Sequence, residues 1–329
     1  MKTDIVLGLA WGDEAKAKVT HSLLQSENYT HCVRFSGGAN AGHTIIHKGN
    51  KIVTHLIPAG VFLNVPSIIG PGCVVNVKGF FEELEYLSKN NVDTTGLIKI
   101  ATNVHIVTEE HLEEDGKDTK IGTTRKGIGP AYRDKYARTG KRAEDIPELK
   151  DYLVDFWEET LDKPDSYILL EGAQGFWLDI NFGEYPYVTS GHSTTAGALL
   201  CGIPHTSLKN IYGACKAYDT YVGAKSFQPE GDIFKKIQEV GQEFGATTGR
   251  ARQCNFLNLD ALYRAAQVNG VTRIVVNKMD ILEKLDCWKI YSNKDLIDLK
   301  TKENFIQYIE KTMPKSIEGF RYSYSPNGI

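Results

Sequence analysis

The first side chains that could do chemistry lie in a turn between an apolar run and a helical pattern. The stretch GLAWGDEAKAKVTHSLL, residues 8–24, follows the apolar residues DIVL and places Asp13 and Lys16 in that turn. Free backbone N–H groups at the start of a helix favour a phosphate, and Lys16 could neutralise its charge. The stretch departs from the Walker pattern, because Lys16 lies eight positions after Gly8 and alanines flank the lysine. A plain surface loop therefore stays open as an alternative.

A second candidate site follows another apolar run, in RFSGGANAGHTI. This stretch supplies Asn40, Gly42 and His43. Paired glycines let the backbone approach a ligand closely, and a histidine beside such a turn can donate a proton to an oxygen that gains negative charge. A histidine that only makes structural hydrogen bonds is the alternative interpretation.

The third stretch, VVNKMD, places Lys278 and Asp280 at the end of a strand that should be buried. A carboxylate there can accept from N1–H and the 2-amino group of guanine together, whereas adenine has no matching pair of donors. A buried polar group that reads a base discriminates strongly, because the wrong base leaves the charge unpaired. The pattern favours guanine nucleotides but also occurs by chance.

The elements that must position these residues alternate along the chain. The runs DIVLGL, HCVRF, KIVTHLI, SYILLE, NIYGACKA and TRIVVNK are typical of strands, and GFFEELEYLSKN and LDALYRAAQV of amphipathic helices. This alternation predicts an α/β fold with a mostly parallel central sheet and helices on both faces. Sites in such folds lie at the carboxyl ends of the strands. With no linker in the sequence, we expect one domain over residues 1–329, with loop insertions.

Composition narrows the class of protein. The chain has 329 residues, a formal net charge of -3 and six cysteines without metal-ligand spacing. We therefore expect free thiols in a reducing compartment and a cytoplasmic protein. The sequence contains no run of about eighteen apolar residues, so we expect no membrane-spanning helix. The basic stretch KIGTTRKGIGPAYRDKYARTGKR has few aromatic residues for stacking bases, so no nucleic-acid partner is expected.

Taken in order, these stretches resemble the adenylosuccinate synthetase family. The resemblance covers nearly the whole chain and rests on WGDEAKAK, SGGANAGHT, HLIPAGV, IGTTRKGIGPAY, EGAQGFWLDINFGEYPYVTS, EFGATTGRAR and NKMD. In length the chain is closer to the compact archaeal and viral forms. The resemblance implies a fold akin to P-loop GTP-binding folds and a GTP-dependent ligation of L-aspartate to IMP through a 6-phosphoryl intermediate. The products would be adenylosuccinate, GDP and phosphate.

The resemblance also implies a role for each matching residue. Asp13 would take the N1 proton of hypoxanthine, and His43 would stabilise the transferred phosphoryl group as an acid. The implied catalytic group is Asp13, His43, Lys16 and Gln174. Mg2+ would lie between Asp13, the Gly42 carbonyl and phosphate oxygens.

Three sets of binding residues follow from the same resemblance. The purine nucleotide would contact Asn40, Thr124, Arg138, Gln174, Thr189 and Arg250, with Arg138 reaching in from a second subunit of a homodimer. The aspartate would be held by Thr247, Thr248, Arg250 and Arg252. GTP would contact Gly12, Glu14, Ala15, Lys16, Ala17, Gly42, His43, Thr44, Lys278 and Asp280.

Departures from the family pattern keep alternatives open. Ala15 and Ala17 stand where the family has glycines; positive φ at either position would cost about 1 kcal/mol, whereas helical φ would be comfortable. Some viral relatives act on dGMP and commonly replace the loop aspartate by a small hydroxyl residue, so Asp13 favours IMP. A viral-type ligase of dGMP and aspartate stays the alternative. A catalytically weak nucleotide-binding homologue is the third hypothesis.

Overall fold

The computed structural model describes residues 1–245, 249–326 and 328–329. Within these ranges the strands are β1 (Lys2–Gly8), β2 (His31–Arg34), β3 (His43–His47), β4 (Asn50–Thr54), β5 (Ser67–Ile69), β6 (Val74–Val75), β7 (Ile98–Ala101), β8 (His105–Ile106), β9 (Leu153–Val154), β10 (Tyr167–Gly175), β11 (Leu208–Lys216), β12 (Tyr218–Tyr221), β13 (Gln253–Asn258), β14 (Arg273–Asn277), β15 (Lys289–Ser292), β16 (Asp295–Asp298) and β17 (Gly319–Tyr322). The α-helices are α1 (Lys16–Ser26), α2 (Val77–Lys89), α3 (Glu109–Gly116), α4 (Ile128–Ala137), α5 (Thr195–Leu199), α6 (Asp232–Gly241), α7 (Leu259–Asn269), α8 (Met279–Leu285) and α9 (Lys302–Thr312).

A large parallel sheet forms the centre of the molecule. In the described part of the chain it has nine strands, in the order β17-β14-β11-β1-β10-β2-β5-β7-β9. Every neighbouring pair is parallel. The predicted mostly parallel α/β sheet is therefore confirmed.

The central strands are apolar along nearly their whole length. Ile5, Val6 and Leu7 of β1 are fully inaccessible to solvent, although successive side chains point to opposite faces of the sheet. Burial of both faces is what a parallel sheet covered by crossover helices requires. It also explains why these strands show continuous apolar runs rather than an alternating pattern.

One predicted strand takes a different place. Residues of KIVTHLI form β4, which pairs antiparallel with β3 in a separate two-stranded hairpin. The two residues between these strands, Lys48 and Gly49, have φ of 50° and 81°. Positive φ at both central positions gives the tight turn that matches the twist of a hairpin. A local turn therefore pairs β4 with β3 and keeps it out of the central sheet.

The three stretches singled out in the sequence meet at one edge of this sheet. Strands β14, β11, β1, β10 and β2 are consecutive neighbours and parallel, so their carboxyl ends lie at the same edge. The loops that follow β1, β2 and β14 contain Asp13, Asn40 and Lys278 respectively. A smaller sheet, β12-β13-β15-β16, begins directly after β11 in the chain, and Arg250 lies just before its strand β13.

Candidate active site

The loop between β1 and α1 is wrapped around the carboxylate of Glu14, which is fully buried. One carboxylate oxygen accepts the backbone N–H groups of Ala10, at 3.1 Å, and Gly12, at 2.8 Å. The other oxygen lies 2.6 Å from Nζ of Lys16, whose ammonium group is also buried. Gly8 allows this arrangement, because a Cβ there would lie 2.4 Å from the same carboxylate. An internal ion pair thus shapes the loop next to the amino end of α1.

The two alanines of this loop differ in backbone conformation. Ala15 has φ 64° and ψ 36°, the left-handed conformation. A Cβ in that conformation costs about 1 kcal/mol relative to glycine. Ala17 is the second residue of α1, where alanine is the most favourable residue. The sequence left positive φ and helical φ open at both positions, and the structure shows positive φ at Ala15 and helical φ at Ala17.

Asp13 lies at the most accessible point of the loop. Its φ is 61° and its side chain is 31% exposed. Nε of Arg252 donates a hydrogen bond to Oδ2 of Asp13 at 2.9 Å, and Nη1 of the same guanidinium lies 2.6 Å from Oε2 of Glu243. Two predicted site residues that are 239 positions apart in the chain are therefore in direct contact.

Arg250 joins two loops. Its guanidinium donates to the carbonyl oxygens of Gly122, at 3.0 Å, and Thr123, at 3.3 Å, immediately before Thr124. The predicted aspartate loop and the predicted nucleotide loop are thus adjacent. Thr247 and Thr248 lie outside the described residues.

His43 lies in a closed, charged cluster. Its Nδ1 is hydrogen-bonded to Oε1 of Glu171, and Nη1 of Arg34 lies 2.8 Å from the same oxygen. Burial and the Arg34 guanidinium lower the pKa of His43 to about 4, although Glu171 opposes this shift. Burial would raise the pKa of Glu171, but His43 and Arg34 together lower it to about 2. At neutral pH the histidine is therefore neutral and the glutamate is ionised.

Gln174 and Asn40 border the same edge of the sheet. Gln174 has φ 52°, and a Cβ at Gly37 would lie 3.0 Å from its Oε1, so the amide packs against the glycine turn. Asn40 closes that turn by accepting the Gly38 N–H at 3.2 Å. Gly42 precedes β3. Thr44 is the second residue of that strand.

Two further residues predicted to bind the nucleotide, Thr189 and Arg138, differ in their exposure to solvent. Thr189 is half-buried and its N–H donates to Leu178 at 2.8 Å. Arg138 ends α4 with φ 65°, and its side chain is exposed. Among the residues that the structure describes, no hydrogen bond joins Thr189 or Arg138 to Asp13.

The NKMD turn is hydrogen-bonded to the loop between β1 and α1. Nδ2 of Asn277 donates to the Glu14 carbonyl at 2.9 Å. Lys278 has φ 64°, and its Nζ donates to the Gly241 carbonyl at 2.8 Å. Asp280 is in the first turn of α8, with its side chain 24% exposed. The predicted guanine reader is thus next to the predicted phosphate site, with its carboxylate accessible.

Comparison with known proteins shows the family of this chain. The profile described as adenylosuccinate synthetase matches residues 5–162 and 146–319. The chain belongs to the adenylosuccinate synthetase family. An adenylosuccinate synthetase of Trichoplax adhaerens is 37% identical over 87% of this chain and 76% of that protein. One from Thermodesulfovibrio yellowstonii is 35% identical over 100% of this chain and 90% of that protein.

Solved structures extend the comparison to the fold. A fully ligated adenylosuccinate synthetase from Plasmodium falciparum superposes with a TM-score of 0.85 at 27% identity, covering 99% of this chain and 98% of that chain. A cyanophage S-2L succinoaminodeoxyadenylate synthetase bound to dGMP and dATP gives a TM-score of 0.77 at 21% identity, with 99% and 93% covered. The second likeness concerns the fold alone. The resemblance and the adenylosuccinate synthetase type of fold inferred from the sequence are both confirmed.

Three buried charged residues of this member of the adenylosuccinate synthetase family were missed in the sequence analysis. Arg34, Glu171 and Glu243 are fully buried charges that hold His43 or Arg252. The signal for Glu171 was present, since it begins the EGAQG stretch, but a charge within an apolar run shows its role only when its partners are known. Within the described ranges, no helix is long and apolar enough to cross a membrane.

Lys18 is a further residue that the sequence analysis missed. Its Nζ donates to Oγ of Ser323 at 2.7 Å. Burial and the charge of Lys278 lower its pKa to about 8, although Asp280 opposes this shift. Helix α1 therefore places the Lys18 ammonium group near the NKMD turn and against Ser323, which follows β17.

Proposed function

We propose that this chain joins L-aspartate to IMP with GTP as phosphoryl donor, forming a C–N bond and giving adenylosuccinate, GDP and phosphate. The observation that carries the proposal is the ion pair between Asp13 and Arg252. It brings the proposed base for the purine next to a proposed ligand of the aspartate carboxylate. The two molecules to be joined would meet at this point.

In the first step, Asp13 would take the N1 proton of the hypoxanthine ring, so that the 6-oxygen attacks the γ-phosphorus of GTP and GDP leaves. Lys16 and Gln174 would stabilise the charge of the transferred group. His43 is neutral in this structure, but a phosphate nearby supplies the negative charge that favours its protonated form. It would then act as an acid toward the phosphoryl oxygens.

In the second step, the amino group of aspartate would displace phosphate from C6 of the phosphorylated purine. Arg250 and Arg252 would orient the two carboxylates, because each guanidinium can bond a carboxylate through two parallel N–H groups. Thr247 and Thr248 would complete this subsite. The contact between Arg250 and the carbonyls of Gly122 and Thr123 supports a subsite next to the nucleotide loop.

The purine nucleotide would lie along the edge of the sheet. We assign to it Asn40, Thr124, Gln174, Thr189 and Arg250. Arg138 of a second copy would complete the pocket, which makes a homodimer part of the proposal. The exposed position of Arg138 at the end of α4 supports a role toward a neighbouring subunit.

GTP would extend from the phosphate loop to the NKMD turn. Its phosphates would contact Gly12, Glu14, Ala15, Lys16, Ala17, Gly42, His43 and Thr44. Lys278 and Asp280 would bind guanine. The hydrogen bond from Asn277 to the Glu14 carbonyl supports this assignment, since it holds the two ends of the proposed site together.

Asp13 and the Gly42 carbonyl suit Mg2+ in donor chemistry, because both offer the hard oxygen ligands that this ion prefers. Within the described ranges no three His, Cys, Asp or Glu side chains converge on a metal position, so phosphate oxygens would supply further ligands. The ion would neutralise charge on the phosphates during transfer. The part of Asp13 that faces solvent supports its availability as a ligand.

Phosphate release by the purified protein tests the proposal. The assay crosses IMP, GMP and dGMP with GTP and ATP, in the presence of magnesium and aspartate. Turnover with IMP and GTP alone is the expected result. Turnover with dGMP instead would assign the viral-type reaction, and no turnover with any pair would favour a nucleotide-binding homologue.

Asp280→Asn tests the base assignment. We expect a loss of about 50-fold or more in kcat/KM for GTP, because the amide replaces an ionised acceptor of two hydrogen bonds. The KM for IMP should stay within about twofold. Equal losses for both substrates would contradict the assignment.

A further inference from the structure

Glu243 lies behind the proposed aspartate subsite. Its carboxylate is completely buried, and both of its oxygens accept hydrogen bonds. Oε1 accepts the Tyr218 hydroxyl at 2.6 Å. Oε2 lies 3.0 Å from Nζ of Lys216 and 2.6 Å from Nη1 of Arg252. Burial would raise the pKa of Glu243, but Lys216, Arg252 and Lys278 lower it to about 2.

The backbone reinforces the same contact. The N–H of Arg252 donates to the Glu243 carbonyl at 2.9 Å. Nε2 of Gln238 donates to the Arg252 carbonyl at 2.6 Å. The two ends of the loop that contains Arg250 are thus joined at Glu243 through both main chain and side chain. The main chain at Arg252 is therefore held in place by hydrogen bonds on both its N–H and its carbonyl.

The two carboxylates that share the Arg252 guanidinium are unequal. Glu243 is buried and has three side-chain partners. Asp13 is 31% exposed, and Arg252 is its side-chain partner among the residues that the structure describes. An incoming carboxylate can replace Asp13, since water and the ligand compensate the exposed group. It cannot replace Glu243 without leaving Lys216 unpaired in the interior.

We propose that Glu243 is a positioning residue for the ligation: it fixes Arg252 so that the guanidinium can pass from Asp13 to the carboxylate of the amino-acid substrate. This inference rests on the proposed function. Substrate binding then also frees Asp13 to take the purine proton. Without Glu243, the guanidinium would turn fully to Asp13, forming a pair that the substrate must break.

The test is steady-state kinetics of Glu243→Gln, with the three substrates varied one at a time. We expect the KM for aspartate to rise about tenfold or more, with the KM for GTP changed by less than about twofold. Tyr218→Phe is the matched control, because it removes a hydrogen bond of the same carboxylate and leaves the contact with Arg252. It should leave the KM for aspartate within about twofold.

A second comparison separates positioning from general stability. In an Arg252→Ala background, Glu243→Gln should change the KM for aspartate no further, because the residue through which it acts is gone. Equal increases in all three KM values, or the same factor in both backgrounds, would overturn the inference. If Glu243→Gln does not fold, Glu243→Asp takes its place: a negative charge stays in the interior near Lys216, but the shorter side chain lengthens the contact with Arg252, which is 2.6 Å in the unmodified protein, and the same rise for aspartate alone is expected.

The activity of the unmodified protein distinguishes failure of the proposed function from failure of this inference alone. An unmodified protein without turnover for any substrate pair overturns the proposed function and this inference with it. Turnover in the unmodified protein, together with an unchanged KM for aspartate in Glu243→Gln and Glu243→Asp, overturns the inference alone.

Discussion

Two buried glutamates each hold an arginine next to a proposed catalytic residue, but in different surroundings. Glu171 binds Arg34 and His43, and all three side chains are almost inaccessible to solvent. Glu243 binds Arg252, whose other side reaches Asp13, which is 31% exposed. The first cluster is closed, and the second opens on one side to solvent.

The difference separates fixed parts of the site from exchangeable ones. The ion pair of Glu171 and Arg34 in the closed cluster cannot trade a partner with a ligand, because either charge would be left unpaired in a medium of low polarity. At the open cluster, water stabilises the exposed carboxylate while its arginine binds something else. We infer that the closed cluster sets geometry before substrates bind and that the open cluster responds to them.

The largest effect is expected at the open cluster, from Asp13→Ala. If Asp13 is the base, turnover should fall about 1000-fold, within the range for loss of a general base. Because the side chain is partly exposed, the free energy of unfolding should change by less than about 1 kcal/mol. Activity assays and urea unfolding measure the two quantities. Turnover close to that of the unmodified protein would exclude Asp13 as the base.

Glu171→Gln should affect stability most. It leaves Arg34 without its carboxylate in the interior, and removal of one partner of a buried ion pair costs about 3 kcal/mol or more. Asp13→Ala, at the open cluster, should cost less, because it removes a partly exposed carboxylate and Arg252 retains Glu243. Urea unfolding of both variants is the measurement. Equal losses would mean that the open and closed clusters do not differ as described.

The closed cluster should also be visible in the pH dependence of stability. Since the pKa of His43 is about 4 in the folded protein and near 6.5 when unfolded, the unfolded chain alone takes up this proton as the pH falls through that interval. The free energy of unfolding therefore decreases as the pH decreases through that interval, by up to about 1.4 kcal/mol per pH unit for one proton. His43→Asn should reduce this slope.

Other histidines with lowered pKa values contribute to the same slope, namely His21, His31, His47 and His105. The expected reduction is therefore up to one proton and not the whole slope. His205→Asn is the matched control variant, since it replaces an exposed histidine outside the cluster in the same way. The low pKa of Glu171 adds its own loss of stability only as the pH falls below about 4.5 toward 2. A slope that His43→Asn leaves unchanged would contradict the closed cluster.

The smallest effect concerns the two alanines. Ala15→Gly should raise the free energy of unfolding by about 0.5 to 1 kcal/mol, because it relieves a left-handed alanine. Ala17→Gly should lower it by about 0.5 to 1 kcal/mol, because glycine is unfavourable within a helix. Opposite signs in urea unfolding are the expected result. Changes of the same sign would contradict the backbone assignment at position 15.

Parts of the site were predictable because their signals are local. Asp13, Asn40 and Lys278 each follow an apolar run, and parallel strands bring the ends of such runs to one edge. The hairpin of β3 and β4 was missed, although Lys48 and Gly49 form a turn typical of hairpins. Glu243 could not be identified, because nothing near it in the sequence shows that Lys216, Tyr218 and Arg252 would surround it.

The amino-acid sequence by itself determined the class of fold and the family, and it placed the proposed site at one edge of the sheet. Apolar periodicity and the order of the motifs act over short stretches of chain, so they can be read without coordinates. Only the tertiary structure decided that Ala15 is left-handed and Ala17 helical, and that Arg252 links Asp13 to Glu243. The physical reason is that burial and charge pairing depend on groups that are distant in sequence, and their energies exist only once the chain has folded.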